Sequence, residues 1–539
     1  MSTYHVENFG CRATQADGVA LERQFAGRGL ARAVNAAHAD LVVINSCTVT
    51  AAADQDARSA IRRVRRQNPN AKIVVTGCYA QRVPEEVAAL PGVDCVIGNS
   101  HKHQLADLAL PRLSDSGWRS DSKATIGTDF RWSSASSPAA EATTAAATLA
   151  TEGNAFVPLA SLTIEAEARK PKPEARLYVS NIFAHTELLA APVFEVANAE
   201  FAEGDGQENH RTRPNLKVQD GCDNRCSFCV IPFVRGQSRS LPLEQILCEL
   251  NALVAAGYRE VVISGINLGR WGRDLTSRPQ ASDLGLQQDQ NPRSKVRGLR
   301  SAAVFEDLIR AILSETHLEK LRISSVEPMD WSRDLIALMA SSPRIAKHAH
   351  VPLQSGSDAV LRRMHRKYRP RHYREKIEQI RVAMPSAAIG ADVMTGFPGE
   401  TDAEFEATRR LIEDLPFTYL HVFTYSPRPG TPAAAMPNQV PVHVARERNR
   451  ILRDLAAGKK LAFMQSFIRK PLEAITLSVV HNRPDGECTE ALTDNYQKLY
   501  LNGRHAPNRW ITVHIEGVED GALVGSKAIP VGSPLEGVT

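Results

Sequence analysis

Three cysteines stand close together in the segment C-D-N-R-C-S-F-C, placing Cys222, Cys226 and Cys229 in the spacing CxxxCxxC. Three thiolates on one loop form a soft donor set that suits zinc or an iron–sulfur cluster. Structural zinc wants four closed ligands, and neither His210 nor Cys248 lies close enough in sequence to finish such a set. A [4Fe–4S] cluster held by three cysteines leaves one iron open to a substrate or cofactor, which is the reading this spacing favours. A second set is more dispersed: Cys11 follows T-Y-H-V-E-N-F-G, Cys47 follows L-V-V-I-N-S, and Cys78 follows I-V-V-T-G. Each lies just past the end of an expected strand. In a parallel sheet those ends share one edge, so the three can converge on one crevice. Taken alone, three buried core cysteines explain the pattern equally well. Cys95 falls inside the expected strand V-D-C-V-I and reads as core, while Cys248 and Cys488 have no companions.

The elements that must position these residues follow from periodicity. Residues 1 to about 110 alternate β-branched runs at 3–9, 41–45, 72–76 and 93–97 with helical patterns near 15–28, 51–67 and 82–90, which predicts a doubly wound parallel sheet. From Ser133 to Glu152, sixteen of twenty residues are Ala, Ser or Thr, with almost no large side chains to pack. This predicts a flexible insert over about 112–208, in which fragments such as A-R-L-Y-V-S at 175–180 could pair locally. A polar stretch at about 272–300 reads as a second insert. A new alternating series has strands at 215–220, 260–264, 321–325, 348–353, 388–394 and 419–425, with helices at 243–256, 303–315, 333–341 and 402–413. Six such β/α units fit a full or partial parallel barrel, whose chemistry sits at the strand C-terminal ends. A charged helix near 443–468 leads to short strands with Gly and Asn turns, which suggest a small antiparallel barrel. The expected fold class is thus α/β, with domains over 1–111, 209–442 and 471–539, the insert at 112–208 and a linking helix at 443–470.

The whole chain sets limits on function. Its 539 residues are 43% hydrophobic and 23% charged, which excludes collagen, coiled coil and wholesale disorder. No run approaches the roughly 18 apolar residues of a membrane span, and M-S-T-Y-H-V-E-N lacks the basic and apolar segments of a signal peptide, so a cytoplasmic protein with reduced cysteines is expected. A net charge of +5 is too small at this length to argue for nucleic acid, so local patches must carry that case. Residues 361–381 hold nine Lys or Arg against two acids, with Tyr368 and Tyr373 interleaved, and R-S-A-I-R-R-V-R-R at 58–66 adds five arginines. Phosphate contacts and stacking rings suit an RNA with a splayed base, although a solvated helix face explains either run. Residues 471–539 count against bulk attraction, with five Lys or Arg and nine Asp or Glu.

The loop around Cys222, Cys226 and Cys229 resembles that of the radical S-adenosylmethionine enzymes, whose three-cysteine motif opens a β/α barrel. The segments N-F-G-C-R, I-N-S-C-T-V-T and T-G-C-Y-A-Q narrow this further, since they resemble the amino-terminal domain of the methylthiotransferases. The likeness continues through S-G-I-N-L-G at 264–269, R-I-S-S-V-E-P at 322–328, H-V-P-L-Q-S-G-S-D at 350–358, D-V-M-T-G-F-P-G-E-T at 392–401 and H-V-F-T-Y-S-P-R-P-G-T at 421–431. It implies two [4Fe–4S] clusters and S-adenosylmethionine as cofactors. Cys222, Cys226 and Cys229 would carry the radical-generating cluster, and Cys11, Cys47 and Cys78 the one that presents sulfur. Phe228 matches the aromatic near the cofactor's adenine, with loop packing as its plain alternative. Ser264, Gly265, Asn267, Glu327, Gln354 and Asp392 fall at or beyond expected strand ends, and Gly396 and Gly399 allow close backbone approach, so all eight are candidates for cofactor or substrate. The terminal barrel loosely resembles the family's RNA-binding TRAM domain. Implied partners are tRNA, an electron donor such as a flavodoxin or ferredoxin, and a sulfur source, with no membrane. G-I-N-L-G, R-W-G-R-D-L and R-I-S-S-V-E-P look most like the bacterial branch that methylthiolates carbon 2 of N6-threonylcarbamoyladenosine beside the anticodon. The isopentenyladenosine and ribosomal-protein branches, and an iron–sulfur RNA-binding protein without radical chemistry, are the alternatives.

Overall fold

The computed structural model describes residues 2–110, 175–185, 212–275, 304–483 and 486–527. The first unit holds β1 (Thr3–Asn8), α1 (Arg12–Ala26), β2 (Ala31–Arg32), β3 (Leu41–Ser46), α2 (Ala51–Gln67), β4 (Lys72–Gly77), α3 (Cys78–Arg82), α4 (Pro84–Ala88), β5 (Cys95–Gly98), α5 (Leu105–Ala109) and β6 (Arg176–Tyr178). Its six strands lie in the order β2-β1-β3-β4-β5-β6, all parallel. The strand period of two divides the core: Val42, Ile44, Ile73 and Val75 pack with Ala57, Ile61 and Val64 of α2, whereas Val43 and Val74 pack with Leu21 and Phe25 of α1. Thr50 starts α2 by accepting a hydrogen bond from the Ala53 amide.

Two expectations change here. The helix expected near 82–90 is the shorter α4, and a separate α3 precedes it, because Pro84 offers no N–H and disfavours a helical backbone at Val83, which parts the two. The fragment at 175–180 does pair, but as β6, the sixth strand of this sheet against β5, so the expected insert is not one continuous segment. The Ala/Ser/Thr-rich run at 133–152 and the polar stretch from 276 to 300 lie outside the described residues.

The central unit runs through β7 (Asn215–Asp220), α6 (Ile231–Arg235), β8 (Arg239–Ser240), α7 (Leu243–Ala255), β9 (Glu260–Gly265), α8 (Phe305–Glu315), β10 (Lys320–Ile323), α9 (Arg333–Ser341), β11 (His348–His350), α10 (Asp358–Arg363), α11 (Pro370–Ala383), β12 (Ala388–Thr395), α12 (Asp402–Asp414) and β13 (Tyr419–Thr424). Parallel pairs join β7 to β9 and β9 to β10, and likewise β11 to β12 and β12 to β13. A bridge from Leu321 to Ile345 links the two arcs, and the short β8 runs antiparallel on β7. Leu250, Ile309, Leu335, Ile377 and Ile412 of the helices share one core with Val261, Ile263, Leu321 and Ile389 of the strands.

The long helix α13 (Val442–Gln465) joins this core through Leu452 and the terminal one through Met464. Beyond it come β14 (Pro471–Arg483), β15 (Gly486–Thr493), β16 (Lys498–Asn502), β17 (Trp510–Glu519) and β18 (Ala522–Lys527), closed in the order β14-β15-β16-β18-β17. The pairing is not wholly antiparallel as expected, since β16 and β18 run parallel. Among the described residues no helix is long and apolar enough to cross a membrane.

Candidate active site

The three dispersed cysteines meet at the edge of the first sheet. Cys11 caps α1 just beyond β1, Cys47 follows β3 directly, and Cys78 opens α3 after β4. Two glycines make this possible. Gly10 has φ +107° and a Cβ there would lie 2.2 Å from Cys47 Cβ, while Gly77 has φ +99° and a Cβ there would lie 2.2 Å from Ser46 O. The Cys47 thiol hydrogen-bonds Cys11 and, with the Arg235 guanidinium, holds Cys11 well below the usual thiol range; Cys11 and burial push Cys47 up. The Asn99 amide nitrogen donates to Cys78 Sγ at 3.5 Å.

The second set faces the first across a small apolar seam. Cys78 packs with Val230, Ile231 and Val234, and Cys222 and Cys229 pack against the same cluster. The loop is held from several elements: the Asn224 amide donates to Cys222 Sγ at 3.4 Å, the Asn267 side chain donates to it at 3.7 Å, and the Cys229 amide donates to Cys226 O at 3.1 Å. Burial first, then the neighbouring Cys226 charge, pushes the Cys229 thiol up to about 12, and burial likewise raises Cys222. Such crowded thiols hold negative charge only against a cationic centre. The donor chemistry therefore fits an iron–sulfur cluster at each set.

The other expected site residues divide into groups. Ser264, Asn267 and Gln354 are buried, and Ser264 Oγ, Asn267 Oδ1 and Gln354 Oε1 find no partner among the described residues, so each could accept from a bound polar group. Gln354 sits at φ +63°, held by its amide donating to Asp392 O at 2.8 Å. Gly265 ends β9 against Gln219. Phe228 meets the Phe397 ring edge-on at 6.4 Å. Asp392 Oδ1 lies 3.4 Å from His350 Nε2 and accepts from His421 Nδ1 at 3.3 Å, an environment that holds it below the carboxylate range despite burial. Gly396 and Gly399 both have positive φ, but Gly396 approaches Ala445 of α13, where a Cβ would lie 2.4 Å from Ala445 Cβ, and Gly399 O accepts from Arg363. Their close contacts are within the protein.

The basic stretch at 361–381 is corrected most. Tyr368 and Tyr373 are buried, with Tyr368 Oη donating to Leu353 O at 2.7 Å and Tyr373 Oη donating to Val351 O at 2.6 Å, so neither ring can stack on RNA. Arg363 pairs with Glu404, Arg369 with Asp358 and Arg374 with Asp414. Arg366 is a site residue that the sequence hid: its guanidinium pairs with Glu327 and donates to Cys226 Sγ at 3.3 Å. In the run at 58–66, Arg63 pairs with Glu7 and Arg65 with Asp94, leaving Arg62 and Arg66 on an open face beside Pro91.

A buried charge network, also unforeseen, joins the two cysteine-bearing units. Asp17 of α1 accepts from Lys102 and Arg235, each at 3.0 Å, and from Lys217 of β7; Asp220 accepts from Lys217 at 2.8 Å and Arg235 at 3.0 Å. Nearby, Asp54 accepts from Arg82 at 2.8 Å and from Arg428 at 2.7 Å.

Comparison with known proteins defines the class. Residues 3–98 match the model of an uncharacterised protein family, UPF0004, and residues 216–412 match that of the radical SAM superfamily. The threonylcarbamoyladenosine tRNA methylthiotransferase MtaB of Bacillus subtilis (strain 168) is 31% identical over 507 residues, spanning 93% of this chain and 91% of that protein. MtaB of Aquifex aeolicus (strain VF5) is 30% identical, spanning 94% and 99%. A tRNA-2-methylthio-N(6)-dimethylallyladenosine synthase of Novosphingobium aromaticivorans is 30% identical, spanning 88% and 86%. The chain belongs to the radical S-adenosylmethionine methylthiotransferase family, and its cofactors are [4Fe–4S] clusters and S-adenosylmethionine.

Proposed function

We propose that the chain converts N6-threonylcarbamoyladenosine in tRNA to its 2-methylthio derivative. The observation that carries this is the seam at Cys78, where one member of the first cysteine set packs with Cys222 and Cys229 of the second in one apolar cluster. The relatives whose names specify the threonylcarbamoyl substrate support the choice of base. When bound, the clusters and S-adenosylmethionine supply an electron, a radical able to take hydrogen from carbon, and a methyl group. The protein's part is placement. In this reading Arg366 and Glu327 flank the cofactor beside Cys226, Asn267 orients Cys222, Ser264 and Gln354 offer the acceptors described above, and Phe228 lines the adenine side. The apolar seam keeps bulk water from the reacting carbon.

On this reading residues 1–111 form the sulfur-presenting unit, 209–442 the radical-generating unit, and 471–539 a TRAM-like barrel that meets tRNA through shape and local contacts. The enzyme works in the cytoplasm with a flavodoxin- or ferredoxin-type reductant and an external sulfur source. Nucleoside mass spectrometry of tRNA from a bacterial strain lacking its own methylthiotransferases, with and without this gene, tests it. A methylthio adduct on threonylcarbamoyladenosine is the expected result. An adduct on isopentenyladenosine alone moves the chain to the sister branch, and no adduct from soluble, iron-loaded protein overturns the reading.

A further inference from the structure

Three units of the molecule converge on one partly open surface beside the amino-terminal cysteines. Arg12, the residue after Cys11, is exposed and reaches the carboxyl-terminal barrel, donating from Nη2 to Tyr496 Oη at 3.0 Å. No acidic residue among those described pairs with it. The Tyr496 ring lies 6.1 Å from Tyr419 of β13, and Tyr419 lies 5.3 Å from the exposed His421, whose Nδ1 approaches Asp392 at 3.3 Å. His348 stacks under Tyr419 at 5.9 Å with an interplanar angle of 8°. The floor is thus ring-lined, Asp392 is already engaged by two histidines, and the arginine at the rim lacks a carboxylate.

We propose that Arg12 binds the carboxylate of the threonylcarbamoyl group and so selects which modified adenosine enters. The inference rests on the threonylcarbamoyladenosine reading. In adenine, carbon 2 and the carbon bearing the N6 substituent flank the same ring nitrogen. With carbon 2 brought to sulfur presented at Cys11, Cys47 and Cys78, the N6 substituent lies on the next edge of the ring, within the reach of one extended side chain from Cys11. A guanidinium fork matches a carboxylate with two parallel hydrogen bonds. An apolar isopentenyl group offers it nothing, so the same residue favours one substrate and leaves the other unrewarded. Tyr496 holds the fork in place from a third unit, making selection depend on correct assembly.

The test compares anticodon stem-loops carrying threonylcarbamoyladenosine, its carboxamide analogue, or isopentenyladenosine. Binding to the full-length holoenzyme is read by fluorescence anisotropy, and methylthio product by mass spectrometry. Wild type is expected to favour the acid over the amide, and Arg12→Leu to lose about 10- to 100-fold in affinity for the acid while its amide affinity stays put. Arg12→Lys restores part of the preference, since it returns charge without the fork. Arg12→Leu that still discriminates acid from amide overturns the assignment of Arg12, as does an equal loss for both stem-loops, which marks a phosphate contact. A wild type indifferent to acid and amide, or preferring isopentenyladenosine, overturns the proposal by removing the substrate reading beneath it.

Discussion

Arg366 shows how a candidate site's neighbourhood hides in plain sequence. It stands in a run of nine basic residues, and charge density alone reads that run as a surface for RNA. What decides its role is a thiol 140 positions away and the Glu327 carboxylate 39 away, partners that no local pattern reveals. A charge-assisted hydrogen bond is worth about 1.5–3 kcal/mol, and its loss here also leaves Glu327 unpaired beside Cys226. Arg366→Ala is expected to cut 5′-deoxyadenosine formation by at least about tenfold with iron content unchanged, and Arg366→Lys to recover only part of it; wild-type turnover in the alanine variant would reduce the contact to packing. Cys226→Ala is the sharper control. It should abolish cofactor cleavage while electron paramagnetic resonance still reports the amino-terminal cluster. Tyr368 belongs to the same run and is buried: Tyr368→Phe should lower stability by about 1–2 kcal/mol in urea titrations and leave tRNA affinity as it was, because its hydroxyl is engaged by the carbonyls of Pro352 and Leu353 and accepts from Arg366 Nε at 3.2 Å. The positions of the six cysteines on one loop and just after strands were legible because that spacing is itself local.

Strands and helices were legible for a related reason, since burial on one face prints a period into the sequence. The run L-V-V-I-N-S became β3, and R-D-L-I-A-L-M-A-S became α9 over Arg333–Ser341, the range its periodicity predicts. Pairing partners were less legible. Nothing in R-L-Y says that it joins a sheet whose preceding strand ended at Gly98, and the parallel contact of β16 with β18 arises from closure of the terminal sheet rather than from either strand alone. The glycine before Cys11 is another such case, since nothing in N-F-G-C points to Cys47. Gly10→Ala puts a methyl group 2.2 Å from Cys47 Cβ and 2.9 Å from its Sγ, on a backbone at φ +107° that alanine rarely adopts. The expected outcome is a protein whose amino-terminal set no longer loads iron while Cys222, Cys226 and Cys229 still do. Iron analysis and electron paramagnetic resonance distinguish this from global unfolding, and full loading of both sets would show that the loop can move aside.

At the scale of the molecule, the proposed chemistry needs the first and central units to stay docked, and buried charge marks that joint beside the apolar seam at Cys78. Asp17 and Lys217 stand 200 residues apart and Asp17 and Arg235 stand 218 apart, so the network was invisible to any reading of neighbours. Burial would push the Asp17 and Asp220 carboxyls up; for Asp17 the charges of Lys102, Lys217 and Arg235 overcome it, and for Asp220 those of Arg235 and Lys217, holding both below the ordinary carboxylate range. The sign of the pH dependence follows. An unfolded carboxylate takes up protons near pH 4, earlier than these two do when folded, so their stabilisation is complete above that range and drains away as pH falls below it. Removing one member strands buried charge, at a cost of about 3–5 kcal/mol. Cluster-free protein avoids the acid lability of iron–sulfur centres, so urea unfolding of that form at neutral pH and near pH 3.5, compared between wild type and Asp17→Asn, separates this carboxylate from other depressed ones such as Asp392. Asp17→Asn should be less stable than wild type at neutral pH and lose less on acidification, because one of the two depressed carboxylates is gone. Equal acid losses in the two proteins would place the docking energy elsewhere, with the Asp54, Arg82 and Arg428 cluster and the Arg23–Glu249 pair as further charged ties between the units.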